Sequence, residues 1–193
     1  MAVRAAVTQS GAGPSDAALV VSAAAGESWA QEALYRRYAR MVNGLSFRLM
    51  PNGADAKDLA QDAFVEAFRN LHRLQNHQAF ASWLRSIVIR IAHKRVRRHR
   101  LMTRLGLRRQ EPVDLDTIVS RNAPPDARVQ LRAVYEVLGE LSAEDRTALV
   151  LRRVEGMAIG EIAEQMGRSI ATVKRRLASA EAHLSRRLGA FHD

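Results

Sequence analysis

Two charged patterns in this sequence are regular enough to do chemistry. Asp58, Gln61, Asp62 and Glu66 recur at helical spacing, so their side chains share one side of a helix. Carboxylates four residues apart can hold a divalent cation, but such a site needs further oxygen or histidine ligands on the same face. None is evident around Asp58 and Asp62, which leaves a plain acidic surface as the first reading. The second pattern is basic. Ser86, Arg90, His93, Arg97 and Arg100 follow one another at spacings of 4, 3, 4 and 3. From Arg85 to Arg109 there are ten Lys and Arg and no acid. A basic stripe on a helix whose other side is apolar suits tracking of a phosphate backbone.

A third stretch, "EIAEQMGRSIATVKRR" (161–176), places a glycine between a short amphipathic helix and a second helix that opens with cations. Helix, glycine-bearing turn, helix is the helix-turn-helix pattern. Gly167 supplies the left-handed turn residue that other side chains resist, and Ser169 caps the second helix near Thr172. Arg168, Ala171, Thr172 and Arg175 are left facing outward, flanked by Lys174 and Arg176. Cations at a helix N-terminus oppose the helix dipole, which makes sense where that end meets phosphates and base edges.

Bulk properties agree with a polyanion partner. The chain has 193 residues and a net charge of +10. It has no cysteine, so disulfides, thiolate metal sites and a cysteine nucleophile are excluded. No H-E-x-x-H, phosphate-binding G-x-x-x-x-G-K-[ST] or glycine-rich dinucleotide loop appears, and the six histidines are scattered, so neither a metal, a cofactor nor an enzyme is expected. No apolar run approaches a membrane span of about 20 residues. The run "AALVVSAAAG" (17–26) is preceded only by Arg4 and abuts Asp16, which reads as a helix rather than a secretory signal.

The elements that carry these side chains are those of an all-α protein. Apolar residues at helical spacing predict helices over roughly 17–25, 28–49, 55–72 and 79–100. In the third, Ala56, Leu59, Ala60, Ala63, Phe64, Ala67, Phe68 and Leu71 repeat at 3,1,3,1,3,1,3 and form one buried stripe opposite the acids. Pro51-Asn52-Gly53 separates the second helix from the third. The pattern dissolves over 105–126, which contains three prolines and is predicted to be an irregular linker between two small helical domains. Beyond it, Asp126 caps a helix to about 140, and Ser142 caps the next, with Leu149, Val150 and Val154 inward. The expected division is a tail at 1–15, a first domain at 16–104, the linker at 105–126 and a helix-turn-helix domain at 127–193, the two domains having no fixed spacing of their own.

The segments "LYRRYARMV" (34–42), "DAKDLAQDAFVEAF" (55–68), "AFASWLRSIVIRIAHKRVRR" (79–98) and "LSAEDRTALVLRRVEGMAIGEIAEQMGRSIATVKRRL" (141–177) carry a resemblance over nearly the whole chain. In order and spacing they are similar to the bacterial extracytoplasmic-function (ECF) sigma factors, the minimal group of RNA polymerase sigma subunits. The resemblance implies a sigma-2 domain at 16–104 and a sigma-4 domain at 127–193. It implies that Asp58, Gln61, Asp62 and Glu66 dock on the clamp helices of the polymerase β′ subunit, and that sigma-4 meets the β flap. It implies that the loop 74–80, with Asn76, His77 and Phe80, captures a base of the −10 element, and that the basic helix 83–100, with Trp83, Arg90, His93, Arg97 and Arg100, holds the melting DNA. Arg168, Ser169, Ala171 and Thr172, with Lys174, Arg175 and Arg176, would read the −35 element. An anti-sigma partner, promoter DNA and a cytoplasmic setting come with it.

The sequence departs from the family in particular places. Arg90 and Lys94 stand where an Asn and an Asp are usual, Arg175 where a small residue is common, and Ala158 where a hydroxyl usually caps. A stand-alone helix-turn-helix regulator accounts for 127–193 but leaves the acidic and basic helices of 55–100 without a role.

Overall fold

The computed structural model describes residues 13–50, 52–106 and 125–189, and among them every regular element is a helix. Most of the expected tail, Pro51 and most of the 105–126 linker lie outside the described residues.

In the first half α1 (Asp16–Ala24) starts at Ser15, whose hydroxyl accepts the Ala18 N–H at 3.3 Å. It buries Leu19, Val20 and Ala23. The long α2 (Ser28–Leu49) packs on α1 and on α3, and buries Leu34, Val42, Leu45 and Leu49. α3 (Gly53–Arg69) begins two residues before the expected start at 55, because the Asn52 side chain caps it and accepts the Asp55 N–H at 2.7 Å. Two single 3₁₀ turns, Leu71–Arg73 and His77–Ala79, lead into α4 (Phe80–Arg104), which runs four residues past the expected end. The stripe on α3 packs as its spacing requires: Ala56, Leu59, Ala63 and Ala67 are inaccessible to solvent.

In the second half α5 (Pro125–Glu140) includes Asp126 rather than starting after it. Proline is well suited to a first helical turn, where its missing N–H has no partner to lose. α6 (Ala143–Arg153) is capped as expected, Ser142 Oγ accepting the Asp145 N–H at 3.0 Å. Leu149 and Val150 are buried, but Val154 is 53% exposed because α6 has already ended beneath it. α7 (Ile159–Met166) and α8 (Ile170–Gly189) complete the unit. Ala158 offers no cap acceptor; instead the Glu161 carboxylate reaches back to the Ala158 N–H at 2.7 Å.

The halves do not float apart. α6 packs on α2 and α4, and α7 packs on α4. One buried cluster continues from Leu34, Leu84 and Val88 into Ala148, Leu151 and Ile162. The expectation of two domains without fixed spacing is corrected on this point, because α4 is apolar on more than one side. Ile89 lies between the positions expected to face outward, yet it is 2% exposed and shares a cleft with Gln165 and Met166 of α7.

Candidate nucleic-acid interface

The apolar stripe of α3 turns Asp58, Gln61 and Asp62 to solvent and leaves Glu66 half-buried. Two of these carboxylates already have partners on α4. Arg95 donates to Asp62 Oδ2 at 2.5 Å and to the Asp55 carbonyl at 3.4 Å. Arg90 pairs with Glu66. The α3–α4 groove containing both pairs is about 900 Å³. The acidic face and the basic stripe are thus stitched together, which spacing along each helix could not reveal.

The residues expected on the DNA-facing side of α4 separate into different environments. Arg97 is exposed and has no ion-pair partner among the described residues. Arg100 donates to the Leu141 carbonyl at 2.5 Å. His93 turns into the seam between the halves, where its Nε2 lies 2.9 Å from Thr147 Oγ1. The Thr147 hydroxyl spends its one proton on the Ala143 carbonyl at 2.7 Å, so it accepts from His93 Nε2–H. Burial holds the imidazole below its ordinary pKa, with Arg168 and Arg97 adding to the effect and Glu144 opposing it.

The loop before α4 presents Asn76 and, half-buried, His77. Asn76 Oδ1 accepts the Gln78 N–H at 3.1 Å, which fixes the second 3₁₀ turn. Phe80 is different: it starts α4 and is fully buried, its ring 5.2 Å from that of Tyr38 and 6.1 Å from that of Trp83. A base could not stack on Phe80 without unpacking the core, so this structure places it as a core side chain. Trp83, half-buried, keeps one part of its ring accessible.

In the helix-turn-helix, Gly167 adopts φ 59°, ψ 44°, and Ser169 Oγ accepts the Thr172 N–H at 3.2 Å, both as expected. Ala171, Lys174 and Arg175 are exposed, and Thr172 is half-buried beside its cap. Arg168 and Arg176 instead reach back to α6. Each lies 2.8 Å from a Glu144 oxygen, and Arg176 is also 3.4 Å from Asp145. The hydrogen bond from Arg168 holds the Glu144 carboxyl below the usual range. The acids in the first turn of α6 were legible as a cap and dipole pattern; their role as anchors for the recognition helix was not.

Reading by spacing missed a further group. Arg146 of α6 is 4% exposed and donates to the Leu49 carbonyl at 3.0 Å. No carboxylate pairs with it among the described residues, and burial, then the neighbouring Arg100, lowers its pKa from 12.5 to about 10. Arg48–Glu155 at 2.9 Å and Gln165–Ser82 at 2.6 Å complete the polar seam.

Comparison with known proteins matches this arrangement segment by segment. The family model for Sigma-70 region 2 matches residues 34–101, and that for Sigma-70, region 4, matches residues 131–184. The ECF RNA polymerase sigma factor SigM of Mycobacterium tuberculosis is 32% identical over 175 residues, which cover 91% of this chain and 85% of SigM. Among solved structures, CnrH in complex with the cytosolic domain of CnrY superposes with a TM-score of 0.64 at 26% identity, over 91% of this chain and 97% of CnrH. The sigma factor RpoE of Bartonella quintana, in complex with the anti-sigma factor NepR, shares the fold with a TM-score of 0.68 at 21% identity, over 82% of this chain and 96% of that one. The chain therefore belongs to the ECF sigma factors, and its function is in transcription initiation.

Proposed function

We propose that α3 docks on core RNA polymerase through Asp58, Gln61, Asp62 and Glu66, and that α4 and the loop before it act on the −10 element. Within that loop Asn76, His77 and Trp83 are the accessible groups for an unstacked base, and Phe80 supports them from the core. Arg97 and Arg90 supply phosphate contacts, joined by His93 and Arg100 once the seam opens. At the −35 element Ala171, Lys174 and Arg175 meet base edges, while Arg168 and Arg176 contact phosphates after leaving Glu144. Residues 16–104 and 127–193 are the two working domains, with 105–126 joining them. The protein performs no covalent chemistry of its own and works in the cytoplasm. An anti-sigma protein is its expected regulator, since CnrH and RpoE are each seen with such a partner or its counterpart.

The observation that carries this reading is the coexistence of an acidic helix face, a basic helix and an exposed recognition helix in one chain with net charge +10. A surplus of cations explains affinity for DNA; an acidic face kept on such a protein calls for a basic protein partner. On this reading the free chain binds duplex promoter weakly, His93 and Arg100 being engaged across the seam and Arg168 and Arg176 on Glu144 within the second half. The test is run-off transcription with core polymerase, comparing the native chain with Asp58→Lys/Asp62→Lys. Both positions are exposed, so the fold should persist while core binding and promoter-specific transcripts are lost. Undiminished affinity for core polymerase in a pull-down would reject the docking role. Specific binding and strand opening by the chain alone would favour a stand-alone regulator.

A further inference from the structure

The pairing of Glu66 with Arg90 joins a carboxylate on the acidic face of α3 to a guanidinium on the basic helix α4. Arg90 has a particular position. It lines the α3–α4 groove with Asp62 and Glu66, and also the cleft on the other flank of α4 with His93, Lys94 and Arg97. Its side chain is 63% exposed and its one partner among the described residues is Glu66. Arg95, by contrast, is 27% exposed and has a second anchor on the Asp55 carbonyl. One guanidinium is free to swing between two flanks of the helix; the other is fixed.

We propose that Arg90 is a charge-exchange residue: in the free chain it rests on Glu66, and a basic protein surface docking on α3 takes over Glu66 and releases Arg90 to join Lys94 and Arg97 on nucleic-acid phosphates. The inference rests on the docking role of α3 set out above. Exposed pairs of this kind are weak, which is what an exchange requires, since a strong pair would resist both partners. The exchange conserves charge pairing: the incoming cation replaces Arg90 on Glu66, and a phosphate replaces Glu66 on Arg90. Docking then raises affinity for DNA without any change in the backbone, and DNA in turn strengthens docking, because coupling between two sites is reciprocal.

The test is a double-mutant cycle on the full-length chain, read by fluorescence anisotropy with a labelled single-stranded DNA of about 20 nucleotides. Glu66→Ala releases Arg90 and also removes one negative charge. Asp58→Ala removes the same charge from the same face but releases nothing, since Asp58 has no ion-pair partner among the described residues. In the free chain Glu66→Ala should tighten DNA binding by about two- to fivefold more than Asp58→Ala, the range expected for an exposed pair. Adding Arg90→Ala should erase that extra gain, and saturating core polymerase should erase it in the Arg90 background. Equal gains from Glu66→Ala and Asp58→Ala, or a gain that survives either Arg90→Ala or core polymerase, would overturn the exchange. A failure of the docking role itself shows separately, as undiminished core affinity of Asp58→Lys/Asp62→Lys.

Discussion

Arg146→Met should make this protein more stable and a poorer initiator. Arg146 is 4% exposed, its Nη1 donates to the Leu49 carbonyl at 3.0 Å, and its Nε has no partner. The fall of its pKa from 12.5 to about 10 says that the seam disfavours the cation. At 1.36 kcal/mol per pKa unit that disfavour is about 3 kcal/mol. Removing the guanidinium recovers this amount but leaves the Leu49 carbonyl without its donor, a loss of about 1–3 kcal/mol. Methionine fills most of the vacated volume with a flexible apolar chain, as when other buried ionic groups are replaced by hydrophobic ones. The balance is a gain of about 1 kcal/mol for the closed arrangement, roughly a fivefold shift in its population. Because the native chain has no cysteine, Gln78→Cys and Ser179→Cys, both at exposed positions, would place a dye pair across the seam. Energy transfer should rise in Arg146→Met, urea unfolding should shift to higher concentration, and transcription at limiting core polymerase should fall. Lower stability together with weaker energy transfer would refute the argument, and would mean that the hydrogen bond to Leu49 outweighs the burial of charge.

Three further outcomes follow from the same geometry. Arg175→Ala should cost about 1–3 kcal/mol and relax −35 preference, whereas Arg97→Ala should weaken binding on every sequence and lower the salt slope by about one unit; equal losses from Arg175→Ala on matched and mutated −35 elements in a filter-binding series would contradict the readout role. Because the pKa of His93 is lowered in the seam, the closed arrangement binds fewer protons than the open one. Its stability is therefore full above the ordinary histidine value of 6.5 and declines as pH falls below it. Energy transfer across the seam should decline over that window in the native chain and stay flat in His93→Gln. Gly167→Ala should destabilise the helix-turn-helix by about 1–2 kcal/mol in thermal unfolding, since φ is +59° and nothing lies within 4 Å of the added methyl, leaving backbone strain as the whole effect.

Some of this architecture was readable in the chain and some was not, for identifiable reasons. The 3,1,3,1 stripe of α3 predicts which side of the helix is buried, because helical geometry alone maps spacing onto direction. Gly167, Ser169 and Ser142 were readable because a turn or cap is settled within a few residues. Phe80 was expected at a −10 base through the resemblance alone; the second 3₁₀ turn ends at Ala79 and delivers it onto Tyr38, a distant contact that local spacing does not report. The burial of Ile89 left a signal that went unused: Ile87, Val88, Ile89 and Ile91 point in too many directions for a helix covered on one side only. The pairs Arg90–Glu66, Arg95–Asp62 and Arg168–Glu144 left none, since each joins residues more than 20 positions apart in different elements.

Those distant pairs bear directly on how a protein of net charge +10 avoids settling on any nucleic acid it meets. Non-specific affinity grows with the number of cations free to displace counterions from phosphate. In the closed chain Arg90, Arg95, Arg168 and Arg176 each rest on a carboxylate, and Arg100 and Arg146 rest on carbonyls. Each exposed pair contributes only a fraction of a kcal/mol, so none is a lock. Four together remove four cations from competition for phosphate, and the dependence of log K on log salt is about 0.9 per phosphate contact. If Arg90, Arg168 and Arg176 were released in the holoenzyme while Arg95 stayed on its second anchor, the salt dependence of DNA binding would steepen by roughly two to three units. Comparing the salt slope of the free chain with that of the holoenzyme on the same DNA therefore counts the released cations, once the contribution of core polymerase alone has been subtracted. A slope that is unchanged after this subtraction would mean that the internal pairs persist on DNA, and that closure restrains binding by covering His93 rather than by occupying charge.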